Sequence, residues 1–171
     1  MGKGRITFIL GGSRSGKSSF ALDSASKLPG SKAFIATAQA FDEEMKERIE
    51  RHKKERSADW KTCEESTALP QLLSRISEDH DVIIVDCLTL WLSNLIMNDA
   101  AVDADIESLL SAAATCPSRI FIVSNEVGMG IVPENALARR FRDFAGTLNR
   151  RVAEIANEVY LVSAGIPLKI K

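Results

Sequence analysis

The chain has 171 residues, with 22 Lys and Arg against 23 Asp and Glu, a net charge of −1 with His neutral. That length suits one domain around one core, and the charge balance excludes a protein that holds nucleic acid or anionic lipid by bulk attraction. A hydrophobic share of 45% with 26% charged residues excludes a disordered chain.

Short apolar runs alternate with longer charged stretches of helical period. This predicts βα units around a mostly parallel sheet. Arg5–Leu10 (RITFIL) reads as a buried strand and Gly16–Leu28 as the helix after it, stopped by Pro29-Gly30. Lys32–Thr37 (KAFIAT) is a second strand, and Phe41–Arg56 a strongly charged helix. Asp81–Asp86 (DVIIVD) sets four β-branched residues between aspartates and predicts a strand buried on both faces. Asp99–Asp105 reads as a surface loop and Ile106–Ala114 as a helix. Arg119–Ser124 (RIFIVS) is a further buried strand. Asn135–Ala156 is a long helix, with Leu137, Phe141, Phe144, Leu148, Val152 and Ile155 spaced at threes and fours. Val159–Ser163 and Leu168–Ile170 close the sheet. No repeat or linker divides the chain, so residues 1–171 are expected to form a single domain.

Cys63, Cys87 and Cys116 are widely spaced, without a CxxC, and His52 and His80 lie far apart. They make neither a disulfide scaffold nor a zinc pattern, and a reducing cytoplasm is the natural setting. The longest uncharged run, Cys87–Asn98, is about half a membrane span. The opening MGKGRITFIL shows no cleavage site after an apolar core, so no secretory leader is expected.

Gly11, Gly12, Ser13, Arg14, Ser15, Gly16, Lys17 and Ser18 match GxxxxGK[ST] in full, between a predicted strand and a predicted helix. Glycines let the backbone curl so that successive N–H groups face phosphate oxygens. The helix start adds its dipole and unpaired N–H groups. Lys17 is expected at the β/γ-phosphates, and Ser18 on Mg²⁺. Asp86, ending its strand, fits the second acidic group near that ion; the plainer reading is a cap for the next helix. The fold expected is α/β of the P-loop NTPase type, a mostly parallel sheet with helices on both faces.

A regulatory GTPase would carry NKxD, which is absent, and DxxG after a strand. The single DxxG, Asp143–Gly146, falls inside the long predicted helix. A nucleic-acid motor would have a basic surface, against the charge balance. A small-molecule transferase remains.

In the charged helix, Phe41, Met45, Ile49 and His52 share one stripe, with Arg48 and Arg56 beside it. Cations suit a polyphosphate, and they favour a neutral, nucleophilic imidazole. Taken on residues alone, a half-buried histidine on a solvated helix is the favoured reading. In Glu126–Asn135, Gly128 and Gly130 permit positive φ and Pro133 sets the entry to the long helix. That segment follows a strand at the edge where open α/β sheets bind ligands, so Asn125 and Glu126 would face the site. An ordinary turn is the alternative.

Together these segments resemble the bifunctional adenosylcobinamide kinase / adenosylcobinamide-phosphate guanylyltransferase family of cobalamin assembly. Its marks are GGSRSGKS (Gly11–Ser18), IATAQ (Ile35–Gln39), DEEMKERIERHKKER (Asp42–Arg56), Trp60 with Thr62-Cys63-Glu64, and Asp86. The most specific are SNEVGMGIVPENALARRFRDFAGTLNR (Ser124–Arg150) and the closing GIPLKIK (Gly165–Lys171). The likeness runs from about Ile6 to Lys171.

The resemblance implies two reactions. ATP or GTP phosphorylates the aminopropanol hydroxyl of adenosylcobinamide. GTP then guanylylates a histidine, and adenosylcobinamide-phosphate takes GMP from it to give adenosylcobinamide-GDP. The family's nucleophile follows an arginine by four residues, which is His52 here, after Arg48. Carried over by position, nucleotide contacts fall on Gly11–Ser18, Ala36, Thr37, Ala38, Lys53, Lys54, Glu55, Arg56, Glu64 and Asp86. Catalysis falls on His52 and Lys17, and Mg²⁺ on Ser18 and Asp86. The family also implies a homotrimer, while the cysteines, the charge balance and the short apolar runs lead to the expectation of a cytoplasmic protein with no nucleic-acid partner and no membrane span.

Asp86 stands where some members carry glutamate, Arg51 where some carry histidine, and Ala100–Cys116 bears no family mark. Two alternatives stand beside this reading: a single-activity small-molecule P-loop kinase with a structural His52, and a non-catalytic nucleotide-binding regulatory module. A mechanical question follows too. A P-loop presents the γ-phosphate, whereas guanylylation attacks the α-phosphate.

Overall fold

In the central strands, residue parity decides which of two apolar layers each side chain fills. Within Val82–Asp86, Ile83 and Val85 join one buried cluster while Val82 and Ile84 join the other. Within Arg119–Asn125, Ile120 and Ile122 face the first cluster, and Phe121 and Val123 the second. Such two-sided burial needs helices on both faces, as the sequence predicts.

The computed structural model describes residues 4–39, 58–98 and 100–171. The described strands are β1 (Ile6–Gly11), β2 (Lys32–Ala36), β3 (Trp60–Glu64), β4 (Val82–Asp86), β5 (Arg119–Asn125), β6 (Glu158–Ser163) and β7 (Ile166–Lys169). They form one sheet in the order β3-β2-β4-β5-β1-β6-β7. Every neighbouring pair is parallel except the β6–β7 hairpin. The described helices are α1 (Lys17–Ser26), α2 (Leu69–Ile76), α3 (Leu88–Met97), α4 (Val102–Thr115) and α5 (Ala136–Ile155). Ala21 and Ala25 of α1 pack into one layer, and the apolar faces of α2 to α5 build the other. The fold is therefore α/β, a mostly parallel sheet flanked by helices.

Three described elements had no counterpart in the sequence reading. α3 is the uncharged run set against a membrane span above; it is a core helix of 10 residues, with Leu88, Trp91 and Leu92 at 0% exposure. α2 starts with Pro70 in its first turn and buries Leu69, Leu72, Leu73 and Ile76. β3 is an edge strand in which only Trp60 is fully buried. One expectation is corrected: Asp99–Asp105 is not all loop, because α4 begins at Val102, with Asp103 and Asp105 in its first turn, where carboxylates suit the helix dipole. The expected helix Phe41–Arg56, which carries His52, lies outside the described residues. No described helix is long and apolar enough to cross a membrane.

The amino-terminal edge of the sheet is locked around Glu158 at the start of β6. Its carboxylate accepts from Lys169 at 2.8 Å and Arg119 at 3.1 Å, with Arg5 at 3.5 Å. The Lys169 hydrogen bond, opposed by partial burial and aided by the three positive charges, holds this carboxyl below its ordinary range. A carboxyl so lowered stabilises the fold above the unfolded carboxylate pKa, about 4.3, and loses that contribution as pH falls through the folded value. Glu158→Gln is expected to cost about 1–3 kcal/mol at pH 7. Urea melts from pH 7 to pH 3 should show the variant and wild type converging in acid.

Candidate active site at the carboxyl edge of the sheet

All strands but β7 run the same way, so their carboxyl ends share one edge. Register places Glu64 beside Ala36, Ala36 beside Asp86, Asp86 beside Val123, and Asn125 beside Gly11. Of the residues singled out by the sequence, Glu64, Ala36, Asp86 and the phosphate loop therefore come together on one rim. Lys53, Lys54, Glu55, Arg56 and His52 lie outside the described residues. The chain leaves the described part at Gln39, just past this rim, where Gln39 Nε2 donates to Ser66 Oγ at 2.7 Å.

The loop between β1 and α1 is built by close approach. A Cβ on Gly11 would stand 2.3 Å from the Val162 carbonyl and 2.6 Å from Ser15 Oγ, so only glycine fits. Gly16 caps α1 with φ 97° and Arg14 takes φ 55°, which turns the backbone as a phosphate nest requires. The turn between β6 and β7 braces the loop. Ala164 and Gly165 both have positive φ, as a tight two-residue hairpin demands, and Gly165 N–H donates to the Ser15 carbonyl at 2.9 Å. Lys17 is only 7% exposed, and its Nζ donates to the Gly12 carbonyl at 2.6 Å, which folds the ammonium back across the loop. The Ser15 hydroxyl is buried without a hydrogen-bond partner among the described residues, an unmet group that a bound phosphate would satisfy.

Asp86 ends β4, two strand spacings from β1, about 10 Å along the edge. No hydrogen bond or ion pair among the described residues takes up the Asp86 carboxylate or the Ser18 hydroxyl. Both are hard oxygen donors, which suits Mg²⁺ held by one carboxylate, one hydroxyl, phosphate and water. No cluster of three or more His, Cys, Asp or Glu among the described residues makes a stand-alone metal cage. Burial, then the neighbouring Asp86 charge, pushes the Cys87 thiol up, so it stays protonated and is no nucleophile.

Thr37 sits differently from a ligand-facing residue. It is fully buried, and its hydroxyl donates to the Cys87 carbonyl at 2.7 Å and accepts from Cys87 N–H at 2.8 Å. Its N–H donates to the Asp86 carbonyl at 3.1 Å. The side chain thus fixes the turn that carries Asp86. Asn94 Nδ2 ties the Thr37 and Ser66 carbonyls together, each at 3.0 Å. Thr37→Val should leave the Cys87 N–H unpaired, while the Cys87 carbonyl keeps the Trp91 N–H at 3.2 Å, and cost about 1–3 kcal/mol in urea unfolding, while Thr37→Ser stays within about 1 kcal/mol of wild type.

Sequence reasoning gave no role to a second chain of contacts, on β5. Asn125 N–H donates to Thr89 Oγ1 at 2.9 Å, and Asn149 Nδ2 donates to the Asn125 carbonyl at 3.1 Å. The rim position next to Gly11 is thereby held from both sides. Beyond it, Gly128 and Gly130 do not take the positive φ that the sequence permitted. Asn135 caps α5 by accepting from Ala138 N–H at 3.0 Å.

The model of the family described as cobinamide kinase / cobinamide phosphate guanyltransferase matches residues 7–170. The chain is 40% identical over 185 residues to the bifunctional adenosylcobalamin biosynthesis protein CobU of Escherichia coli (strain K12), covering 97% of this chain and 99% of that one. It is 42% identical over 181 residues to the protein of the same name from Salmonella typhimurium, with the same coverage. It is 44% identical over 165 residues to the bifunctional adenosylcobalamin biosynthesis protein CobP of Pseudomonas aeruginosa, covering 95% of each. Among solved structures, a KaiC-like protein from Pyrococcus horikoshii superposes with TM-score 0.53 at 11% identity, over 93% of this chain and 71% of that one. That likeness speaks for the fold alone.

Proposed function

The chain belongs to the cobinamide kinase / cobinamide phosphate guanyltransferase family, and from that premise we propose one transferase domain that carries out both reactions on adenosylcobinamide. It phosphorylates the corrinoid's aminopropanol hydroxyl with ATP or GTP. It then transfers GMP from GTP, through a guanylylated His52, to adenosylcobinamide-phosphate. The observation that carries the reading is the complete phosphate loop, Gly11–Ser18, braced on the same rim as Asp86.

In the kinase step the loop N–H groups and Lys17 bind the β- and γ-phosphates and offset charge as the phosphoryl group moves. Lys17 exchanges its Gly12 carbonyl partner for phosphate oxygen. Ser18 and Asp86 hold Mg²⁺, which supplies charge neutralisation at the phosphates when bound. Ala36, Ala38 and Glu64 receive the rest of the nucleotide, and Thr37 acts by positioning. In the second step His52 attacks the α-phosphorus, the bond to the bridging oxygen breaks, and pyrophosphate leaves with Lys53, Lys54 and Arg56 offsetting its charge. Glu55 belongs to the same nucleotide-binding stretch.

Glu64 ends the outer strand β3, four spacings or about 19 Å from β1. That spread supports two nucleotide poses on one rim, one for γ- and one for α-phosphate chemistry. The three free cysteines suit a reducing cytoplasm. Ile166, Leu168 and Ile170 are exposed on and just beyond the open edge strand β7, which supports burial against another copy, and we assign the homotrimer. The direct test supplies adenosylcobinamide, GTP and Mg²⁺ and follows corrinoid products by chromatography and mass. Adenosylcobinamide-phosphate should appear first and adenosylcobinamide-GDP second; an unchanged corrinoid would overturn the reading. Light scattering should give a mass of three chains.

A further inference from the structure

Phosphorylating an alcohol requires that the hydroxyl proton go somewhere. The carboxylates at the described rim are Glu64, Glu65, Asp86 and Glu126, and Glu65 is taken up by the Thr67 and Ala68 N–H groups at 2.9 and 2.8 Å. Glu64 is on the outer strand, four spacings from β1, and Asp86 belongs with the metal. Glu126 stands one residue past β5, on the strand next to β1. Its N–H donates to the Gly11 carbonyl at 3.0 Å, which pins its backbone against the first glycine of the phosphate loop. Its Oε1 accepts from Gly128 N–H at 2.6 Å. A Cβ at residue 128 would stand 2.9 Å from that oxygen, so Gly128 leaves the room in which the carboxylate sits. Oε2 has no partner among the described residues.

We propose that Glu126 is the general base of the kinase step, an assignment that rests on the kinase reading above. Oε2 accepts the proton of the acceptor hydroxyl. The hydroxyl oxygen bonds to the γ-phosphorus, the bond from that phosphorus to the β–γ bridging oxygen breaks, and nucleoside diphosphate leaves. The proton passes from Glu126 to water before the next turnover. The Gly128 N–H bond to Oε1 orients the carboxylate, and α5, capped at Asn135, anchors the far end of the segment.

General-base catalysis contributes about 10²–10⁴-fold. Glu126→Gln keeps an oxygen acceptor for Gly128 and so keeps the turn. It is expected to lower the adenosylcobinamide kinase kcat by about 10²-fold or more, with KM for the corrinoid, nucleotide Kd and thermal midpoint close to wild type. Glu126→Asp, shorter by one methylene, should recover at least tenfold over Gln. A Gln variant within about threefold of wild-type kcat would overturn the assignment. So would Gln and Asp variants that fall alike together with nucleotide affinity, which marks a structural prop. Wild-type protein runs alongside: if it phosphorylates no corrinoid, the kinase reading itself fails, whereas an active wild type with an equally active Gln variant removes Glu126 alone.

Discussion

Lys17→Met is expected to lower the adenosylcobinamide kinase kcat by about 10²–10³-fold while the protein stays folded. The side chain is 7% exposed, so its aliphatic stem packs within the loop, and methionine fills much the same volume. What methionine removes is the ammonium that spans the loop to the Gly12 carbonyl at 2.6 Å. When phosphate enters, that charge can follow the γ-phosphoryl as it moves, and losing such a preorganised donor costs about 3–4 kcal/mol of transition-state stabilisation. Arginine does not substitute, because a planar fork needs more room than a point charge. Steady-state kinase assays beside a thermal melt check this. A normal melt with undiminished kcat would remove Lys17 from the mechanism.

His52→Ala is expected to reduce GMP transfer by at least about 10³-fold, while phosphorylation of adenosylcobinamide stays within about threefold. A covalent nucleophile splits a hard transfer into two easier steps, so its loss closes the route outright. The kinase step draws on the phosphate loop, Asp86 and Glu126 instead. Adenosylcobinamide-phosphate should therefore accumulate in the variant when GTP and Mg²⁺ are present. A variant that still makes adenosylcobinamide-GDP at the wild-type rate would point to direct transfer without an enzyme-bound intermediate.

The central strands were legible because burial on both faces writes itself as a continuous β-branched run, as in Val82–Val85. α5 was legible because one apolar stripe repeats at threes and fours. α3 was opaque for the opposite reason: apolar on nearly every side, it has no period to read. α2 carried its signal in Pro70 and the Leu69, Leu72, Leu73, Ile76 spacing, but its eight residues are short for a period to register. β3 pairs on one side only, so a single tryptophan stood for a strand.

At the site, the phosphate loop was readable because each residue type has a local reason to be there. Its brace was not, since the Gly165 N–H that supports Ser15 comes from 150 residues away. Thr37 shows the same limit. Position alone set it among nucleotide contacts, while its hydroxyl closes on the backbone of Cys87, 50 residues on. The hold on Asn125 by Thr89 and Asn149 is likewise a matter of packing.

The most direct test of the two-reaction account is the intact mass of the protein after incubation with GTP and Mg²⁺, for wild type and His52→Ala. Denaturation is kept neutral or alkaline, because a phosphorus–nitrogen bond to histidine is acid-labile. A GMP-sized gain in wild type that is absent from His52→Ala is the predicted result. A wild-type protein that binds GTP and gains no mass, or a variant that gains it equally, contradicts the account.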